Sequence, residues 1–490
     1  MLFTSTVFLF LFLPLALLLH YVLPERFRNA FLLLASLFFY AWGEVFYAVI
    51  ILVSIGINYT MARAMAAYPP GGRKRALLLT TIGLNLALLG WFKYANFMVD
   101  NINVVLRIFD GPVIHLEPVH LPIGISFFTF QALSYVVDAY FGRVAVQKRM
   151  VDLALYIALF PQLIAGPIVR YRDIAAEIAA RHVDLSRFAY GVRRFIIGMG
   201  KKMILANPVG ELADTVFALS PGEWTTPLTW LGIACYTLQI YFDFSGYSDM
   251  AIGLGRMLGF TFKENFNYPY AAASIREFWQ RWHISLSSWF RDYLYIPLGG
   301  SHLSPRRTIV NLWVVFLLCG LWHGPSWNFV IWGGLHGCFL SLERTEFDRI
   351  RRWLWWPLRH IYVLLVVMVA WVFFRLETLP EALSFIGIMV GVGEGSAPPQ
   401  LTIDLFPFEH RLVFMVAILA CVSWRSVGKR MADLYFRNQA RFMSTMTIRL
   451  QPWLTTGLHV LNVAALMSIL ILSIMHIAVG TYNPFIYFRF

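Results

Sequence analysis

Long apolar runs recur along almost the whole chain, separated by short polar, basic or glycine- and proline-rich breaks. A helix that borders water is apolar on one face only, whereas these runs are apolar on every face, as membrane-spanning helices are. The runs are residues 7–23, 30–41, 45–61, 76–92, 122–140, 151–164, 227–241, 309–321, 328–342, 361–374, 412–422 and 460–477. They predict an all-α, polytopic transmembrane bundle of about 11–13 segments.

Glycine and proline interrupt this pattern in the middle of the chain. Several runs are shorter than the roughly 20 residues that a full membrane crossing needs. Others contain breaks such as LPIGI at 121–125 and AGP at 165–167. Irregular backbone at membrane depth is tolerated only where protein or a water-filled cavity satisfies its polar groups. We therefore predict re-entrant or broken helices between residues 120 and 300.

Composition and charge place the chain in the membrane. Hydrophobic residues make up 59% of it and charged residues only 14%, whereas a soluble domain has about 25% charged residues. The net charge of +13 comes from short basic clusters between the runs, such as 26–28 and 73–75. Such clusters are typical of cytoplasmic loops, and polyanion binding is the alternative interpretation. We expect contact with membrane lipid and no nucleic-acid partner.

The first three runs predict the orientation of the chain. Run 7–23 has no basic segment before it and no small-residue cleavage site after it, so we interpret it as an uncleaved helix. Arg26 and Arg28 follow this run, and the basic cluster 73–75 follows the hairpin 30–61. These basic residues fall on one side of the membrane, which predicts a periplasmic N-terminus.

Three further segments are predicted to lie outside the spans. Basic residues at 193–194 and 201–202 are spaced among apolar ones, which predicts an amphipathic helix at the membrane interface. The segment 391–409 is rich in glycine, proline and acidic residues, and the segment 425–449 is basic. We expect both of these to be extramembrane.

A polar block at 241–249 (YFDFSGYSD) places Asp243 and Asp249 between two apolar runs. Charged groups inside a membrane are costly and usually functional, so one interpretation is a polar lining or a partner for an arginine. The interpretation we favour is a helix break capped by Asp243 and Ser245, because Asp and Ser prefer such positions.

A second block, 276–297, contains Arg281, His283, Arg291 and Asp292 among large aromatic side chains. If the block is one helix, His283 shares a face with positions 279 and 287, four residues away on either side. An interfacial aromatic belt explains the tryptophans but not these four ionisable groups together. We therefore predict a functional role for His283.

A third block contains Trp322, His323 and Gly324 at the end of an apolar run, and His336 beyond it. A glycine-proline break lets a helix stop and a cavity open beside His323. Histidine is the usual general base, because its pKa lies near working pH. We predict catalysis for His323 and a packing or supporting role for His336.

Several familiar motifs do not occur in the chain. It has no HExxH sequence and no histidine pair at helical spacing, so no metal is expected. It has no Walker A, DxD or GxSxG sequence, which argues against an ATP-driven pump, a nucleotide-sugar transferase and a serine esterase. The four cysteines have no CxxC spacing and predict neither a zinc site nor a disulfide framework.

Taken together, the motifs resemble a known family. RWHISLS at 281–287, LWHG at 321–324 and PFIYFRF at 484–490 are similar to the membrane-bound O-acyltransferases. LPIGISF at 121–127, IAGP at 164–167, YFDFSGYSD at 241–249 and WVFFR at 371–375 resemble the bacterial alginate O-acetyltransferase branch of that family. The similarity therefore extends over nearly the whole chain.

The resemblance implies a funnel-shaped helical fold with one acyltransferase domain over residues 1–490 and a catalytic core at about 120–345. It implies that His323 is the catalytic histidine and that His283 lies beside it. The candidates for supporting or channel-lining roles are Arg281, Arg291, Asp292, Asp243, Asp249, Trp322 and His336.

The resemblance also implies a reaction. An acetyl group from a cytoplasmic donor, acetyl-CoA or another acetyl thioester, crosses the bacterial inner membrane to O-acetylate a secreted exopolysaccharide, without a tightly bound cofactor. Alginate is the favoured acceptor, cellulose or another polymer is the alternative, and the implied partner is a periplasmic SGNH-hydrolase-like acetyltransferase. The rival class is a polysaccharide or lipid-linked sugar transporter or flippase, whose intramembrane Arg and Asp residues would line a pathway. We favour the enzyme, because O-acyl transfer needs a base in a dry channel.

Overall fold

The computed structural model describes residues 1–393, 401, 404–422, 446–480 and 482–484. Every regular element in these ranges is helical. The α-helices are α1 Leu13–Val22, α2 Glu25–Ala41, α3 Ala48–Ala66, α4 Gly72–Leu89, α5 Ala95–Ile108, α6 Ile125–Tyr140, α7 Met150–Ala158, α8 Phe160–Leu163, α9 Tyr171–Ala179, α10 Leu185–Gly200, α11 Asn207–Phe217, α12 Thr226–Met257, α13 Ile275–Arg281, α14 Ile284–Phe290, α15 Pro305–His323, α16 Trp327–Leu342, α17 Glu346–Trp353, α18 Trp356–Arg375, α19 Leu379–Met389, α20 Phe408–Ala420 and α21 Met446–Ala478. The π-helical turns are Phe8–Phe12, Gly90–Tyr94, Lys201–Ala206 and Arg291–Tyr295, and the 3₁₀ turns are Pro221–Glu223 and Pro269–Ala271.

Four helices in the described part are long and apolar enough to cross a membrane, namely Ala48–Ala66, Gly72–Ile108, Trp356–Arg375 and His459–Ala478. Large apolar side chains also stand on the outside of the protein, where Phe10 is 61% exposed and Phe46 is 87% exposed. The hydrocarbon core of a membrane is the environment that would keep such side chains away from water without the need for a protein partner. The prediction of an all-α, polytopic membrane protein is confirmed.

Several helices between residues 120 and 300 are broken, as predicted from their glycines and prolines. α7 stops at Ala158, α8 lasts one turn, and residues 164–170 are not regular helix. Gly124 starts α6 with a φ of +77°, and a Cβ on it would lie 2.6 Å from the carbonyl oxygen of Leu163. Only glycine fits this position, because its backbone is left-handed and touches another backbone. The predicted break at 121–125 therefore packs against residues 163–164, directly before the second predicted break at 165–167.

α12 continues without a break for 32 residues, so the favoured helix break at Asp243 is wrong. Asp243 accepts a hydrogen bond from Lys202 at 3.0 Å, and both side chains are buried. Asp249 accepts hydrogen bonds from Arg194 at 2.6 Å and from Lys201 at 2.7 Å. Because these cations satisfy the carboxylates, neither aspartate needs a helix end to cap. The alternative interpretation as a partner for an arginine holds for Asp249, which pairs with Arg194, whereas Asp243 pairs with a lysine. Three of the four basic residues of the predicted amphipathic helix, at 194, 201 and 202, thus pair with α12, whereas Arg193 is exposed.

The block 276–297 is also not one helix. α13 ends at Arg281, and His283 has a φ of +41° before α14 begins at Ile284. A left-handed residue turns the chain, so Trp279 and Ser287 do not share a helical face with His283, and that prediction is wrong. The turn instead directs His283 into the interior, where its side chain is fully buried.

The C-terminal part of the chain follows the predicted spans. α20 contains most of the run 412–422 and α21 contains the run 460–477. Most of the basic segment 425–449, part of the segment 391–409 and residues 485–490 of the C-terminal motif lie outside the described residues.

Candidate active site

The structure brings the three predicted histidines into one row of aromatic rings. The ring centroids of His283 and Trp322 are 6.2 Å apart, and those of Trp322 and His323 are 4.9 Å apart. Trp332 continues the row, 5.0 Å from His323 and 4.9 Å from His336. Imidazole and indole rings therefore alternate through the core, with His323 in the middle.

His323 is the last residue of α15, as its place before Gly324 predicted. α15 and α16 cross closely here, since a Cβ on Gly320 would lie 2.1 Å from the carbonyl oxygen of Phe329. The side chain of His323 is 7% exposed, while its ring edge contacts Phe374 at 5.1 Å. The close helix crossing thus fixes a histidine at a buried helix end.

A cavity of about 100 Å³ opens at His323. It is lined by Lys93, Leu121, Pro122, Ile123, Gly124, Ile125, Ser126, Phe127, Ile164, Trp322 and His323. The LPIGISF motif therefore forms one wall and the WHG turn forms another. A space of this size suits a small group such as an acetyl.

His283 has a defined tautomer. Its Nδ1 lies 3.1 Å from Oδ1 of Asn265, and that oxygen also accepts a hydrogen bond from the hydroxyl of Ser285 at 2.8 Å. The amide nitrogen of Asn265 donates to Ser248 at 3.0 Å. Because Oδ1 only accepts, Nδ1 of His283 carries the proton and Nε2 presents a lone pair. That Nε2 is buried and has no hydrogen-bond partner among the described residues.

His336 packs among aromatic rings in the way that a supporting residue does. Nε1 of Trp279 donates a hydrogen bond to its Nδ1 at 3.2 Å, so Nε2 carries the proton. Its ring lies parallel to Phe278, with centroids 6.2 Å apart. His336 therefore lies at the end of the ring row that is further from the cavity at His323.

The predicted charged residues lie outside the ring row and form ion pairs. Arg281 pairs with Glu277 at 2.7 Å within α13. Asp292 accepts hydrogen bonds from Arg291 at 2.7 Å, from Arg172 at 2.7 Å and from Arg170 at 2.5 Å. Such pairs tie the segment 276–295 to α9 and hold the surroundings of His283 in place.

A second cavity, of about 200 Å³, lies on the far side of Trp279. Arg276, Arg291 and Arg344 line it together with mostly apolar side chains. Trp279 separates this cavity from His336, to which its indole donates. Of the predicted charged residues, Arg291 borders this cavity, and Asp249 lines a separate cavity of about 820 Å³.

Two residues of the site, Lys93 and Asn265, were not predicted from the sequence. Lys93 is 7% exposed and borders the cavity beside His323. A signal was available, because Lys93 is a lone cation directly after an apolar run. Asn265 gave no such signal, since an asparagine in a loop is unremarkable until its partners are known. No group of three or more potential metal ligands occurs in the part of the chain that the structure describes.

A polytopic helical protein with a buried imidazole at the wall of a small cavity has the features expected of a membrane-embedded transferase. Residues 146–377 match the model of the membrane-bound O-acyltransferase family. The chain belongs to this family, and the matched region contains all three histidines. The resemblance predicted from the motifs is confirmed.

Relatives of known name are similar over most or all of the chain. A probable alginate O-acetylase AlgI of Pseudomonas putida is 40% identical over 100% of both chains. That of Pseudomonas aeruginosa is 46% identical over 78% of this chain and 73% of the relative. A peptidoglycan O-acetyltransferase of Helicobacter pylori is 36% identical over 80% of each chain.

Proposed function

We propose that this membrane acyltransferase O-acetylates a secreted exopolysaccharide, with alginate as the favoured acceptor. The observation that carries the proposal is His323, an imidazole on the wall of a cavity sized for a small acyl group. The names of the relatives in Pseudomonas support an acetyl group and alginate. The relative in Helicobacter pylori, a peptidoglycan O-acetyltransferase, supports a carbohydrate acceptor more generally. We place the protein in the bacterial inner membrane.

In the proposed reaction His323 is the general base. Its imidazole takes the proton of an acceptor hydroxyl, and the oxygen attacks the carbonyl carbon of an acetyl thioester. The new C–O bond forms, the C–S bond breaks, and the thiolate takes up the proton from His323. The hydroxyl belongs to the polymer or to a periplasmic SGNH-hydrolase-like partner that passes the acetyl group on. No tightly bound cofactor takes part.

His283 serves the same reaction from the other side of Trp322. Asn265 fixes its tautomer, so Nε2 is an acceptor. We assign this nitrogen to a donor group of the substrate, because a buried acceptor without a partner is costly unless a ligand satisfies it. Nδ1 of His336 accepts a hydrogen bond from Trp279, and we assign His336 the role of orienting the row of rings.

The acetyl donor is a cytoplasmic thioester such as acetyl-CoA. The second cavity supports this assignment, because apolar walls suit the thioester arm and arginines bind phosphate groups. The cavity also adjoins Arg344, which precedes the basic cluster at 351–352 expected on the cytoplasmic side. The two cavities would then bring donor and acceptor toward His323 from opposite sides.

A transporter or flippase is the alternative function. Such a protein lines a continuous pathway with polar groups, which remain free to meet the substrate. Here Asp243, Asp249 and Asp292 are each held by basic side chains. Their pairing favours a structural use of these charges and therefore favours the enzyme.

Reconstitution tests the proposal directly. Vesicles that contain the protein receive acetyl-CoA labelled in the acetyl group on one side and alginate oligomers with the periplasmic partner on the other. We expect labelled ester on the oligomer with the wild type and none with His323→Ala. If the wild type leaves the oligomer unlabelled with acetyl-CoA and with an acetylated carrier-protein thioester alike, the proposed reaction is wrong.

A further inference from the structure

Lys93 lies in a π-helical turn, Gly90–Tyr94, within the long helix Gly72–Ile108. Such turns widen a helix by one residue and occur often at functional sites. The turn presents two consecutive polar side chains, Lys93 and Tyr94, to the last turn of α15. These hydrogen bonds therefore join two helices that are distant in the sequence, since Lys93 and His323 are 230 residues apart.

These two side chains complete the hydrogen bonding of the end of α15. The last four carbonyl groups of a helix have no partner within it. The Gly320 carbonyl accepts from the backbone N–H of Gly324 at 3.4 Å. The Leu321 carbonyl accepts from the Tyr94 hydroxyl at 2.6 Å. Lys93 Nζ donates to the carbonyls of the remaining two residues, at 2.5 Å and 3.0 Å.

All three N–H groups of the Lys93 ammonium donate hydrogen bonds. Its third hydrogen bond goes to the hydroxyl of Ser126 at 3.3 Å. All three acceptors are uncharged, and the side chain also lies 5.8 Å from the ring centroid of Trp322. The C-terminal end of a helix carries partial negative charge, which a cation stabilises. Because no proton of the Lys93 ammonium group is left for a ligand, this geometry favours stabilisation of the end of α15 over binding of substrate.

From this geometry we infer that Lys93, assisted by Tyr94, is a positioning residue that holds His323 at the wall of the cavity. The inference rests on the proposed function, since it concerns the histidine assigned as the base. Lys93 fixes the backbone of Trp322 and His323 together and so fixes both rings. Without it, two buried carbonyls lose their donors and the end of α15 relaxes.

Steady-state kinetics on reconstituted protein test this inference. The variants are Lys93→Met, which keeps the length of the side chain, and Tyr94→Phe, which removes one hydrogen bond. We expect kcat to fall about 100-fold for Lys93→Met, as misplacement of a catalytic group by about 1 Å does. Tyr94→Phe should lower kcat by about 2- to 10-fold, the value of one neutral hydrogen bond. KM for the donor should stay unchanged in both.

Lys74→Met is the matched control, because Lys74 lies in the same long helix and contacts Tyr140 instead of α15. It should leave kcat unchanged. The double variant with His323→Ala shows whether Lys93 acts through the histidine. On that background Lys93→Met should change the residual rate by less than about twofold, because coupled residues are not additive. Additive losses would overturn the inference.

Chemical modification gives a readout that does not depend on acetyl transfer. Diethyl pyrocarbonate modifies imidazole, and mass spectrometry of the peptide that contains His323 measures the rate. We expect this rate to change by at least about threefold in Tyr94→Phe or Lys93→Met, because the imidazole of His323 spends less time in its native orientation. The rate should stay constant in Lys74→Met. Equal rates in all variants would overturn the inference about Lys93. An inactive wild type with altered modification rates would instead count against the proposed reaction alone.

Discussion

The side-chain oxygen of Asn265 lies 3.1 Å from Nδ1 of His283 and determines which nitrogen of that imidazole carries the proton. Asn265 belongs to the non-helical segment before α13, whereas His283 forms the turn between α13 and α14. A second bond, from the Ile284 N–H to the Asn265 carbonyl at 2.9 Å, holds the two segments together. The lone pair on Nε2 thus depends on an asparagine from another segment.

Asn265→Leu should therefore lower acetyl transfer by about 10-fold or more. Loss of the partner that orients a metal-binding histidine typically costs about 10- to 100-fold, and Asn265 orients His283 in the same way. Asn265→Asp keeps an acceptor oxygen and should retain more activity than Asn265→Leu. Ester content of the secreted polymer measures the effect. Asn101→Ala, at a partly exposed position on α5, is the control and should match the wild type. Equal ester content in Asn265→Leu and the wild type would contradict the assigned tautomer role.

His323→Ala should abolish acetylation while the protein still accumulates in the membrane. Loss of a general base lowers a rate by about 100- to 10,000-fold. His283→Ala should be severe as well. His336→Ala should be milder, because His336 contacts Trp279 and Trp332 at the far end of the ring row. Wild-type ester content in a well-expressed His323→Ala strain would remove His323 from the mechanism.

Gly124→Ala should disturb the cavity wall more than Gly142→Ala does. Both glycines have positive φ, +77° and +71°, so alanine strains the backbone at each by about 1–2 kcal/mol. A Cβ at Gly124 also meets the carbonyl oxygen of Leu163 at 2.6 Å, whereas a Cβ at Gly142 meets nothing within 4 Å. Overpacking adds about 1–3 kcal/mol. Thermal unfolding of the detergent-solubilised variants measures the difference, and equal midpoints would show that the close approach has no cost.

The breaks and the histidines were predictable because their signals are local. The proline and glycine of LPIGI interrupt a helix wherever they occur, and His323 next to Gly324 marks a helix end in any fold. The aspartates of α12 were not predictable in the same way. Asp243 looks like a cap in the sequence, because its partner Lys202 is brought to it only by the packing of the π-helical turn Lys201–Ala206 against α12.

Two further features depend on contacts that the sequence does not reveal. His283 takes a left-handed backbone conformation, which is uncommon for any residue but glycine, and this conformation removed the expected helical face. Lys93 looks like the cation that ends a span, although it reaches the carbonyls of Trp322 and His323. In both cases tertiary contact overrides the local pattern.

Cysteine labelling tests the predicted orientation. Basic residues such as Arg75 should lie in the cytoplasm, so Arg75→Cys should resist a membrane-impermeant thiol reagent in intact cells. Phe46, in the loop between α2 and α3, is 87% exposed and should lie on the periplasmic side. Phe46→Cys should therefore react, with unmodified wild type as the control for the four native cysteines. Labelling of Arg75→Cys without labelling of Phe46→Cys would reverse the topology.

Deletion of the gene separates an enzyme from a conduit. An acetyltransferase adds only the ester, so polymer secretion should continue without it and the ester should vanish. A flippase or transporter carries the polymer itself, and its loss should stop export. The buried carboxylate of Asp243 is paired with Lys202, and the partly buried carboxylate of Asp292 is paired with Arg170, so both charges are committed to the fold. A polymer pathway would need such groups to be free along the full thickness of the membrane.

The measurement is the mass of secreted polymer and its ester content in the deletion strain, with His323→Ala expressed from a plasmid as the matched control. Normal mass without ester in both strains is expected, whereas lost mass in the deletion strain would establish the conduit.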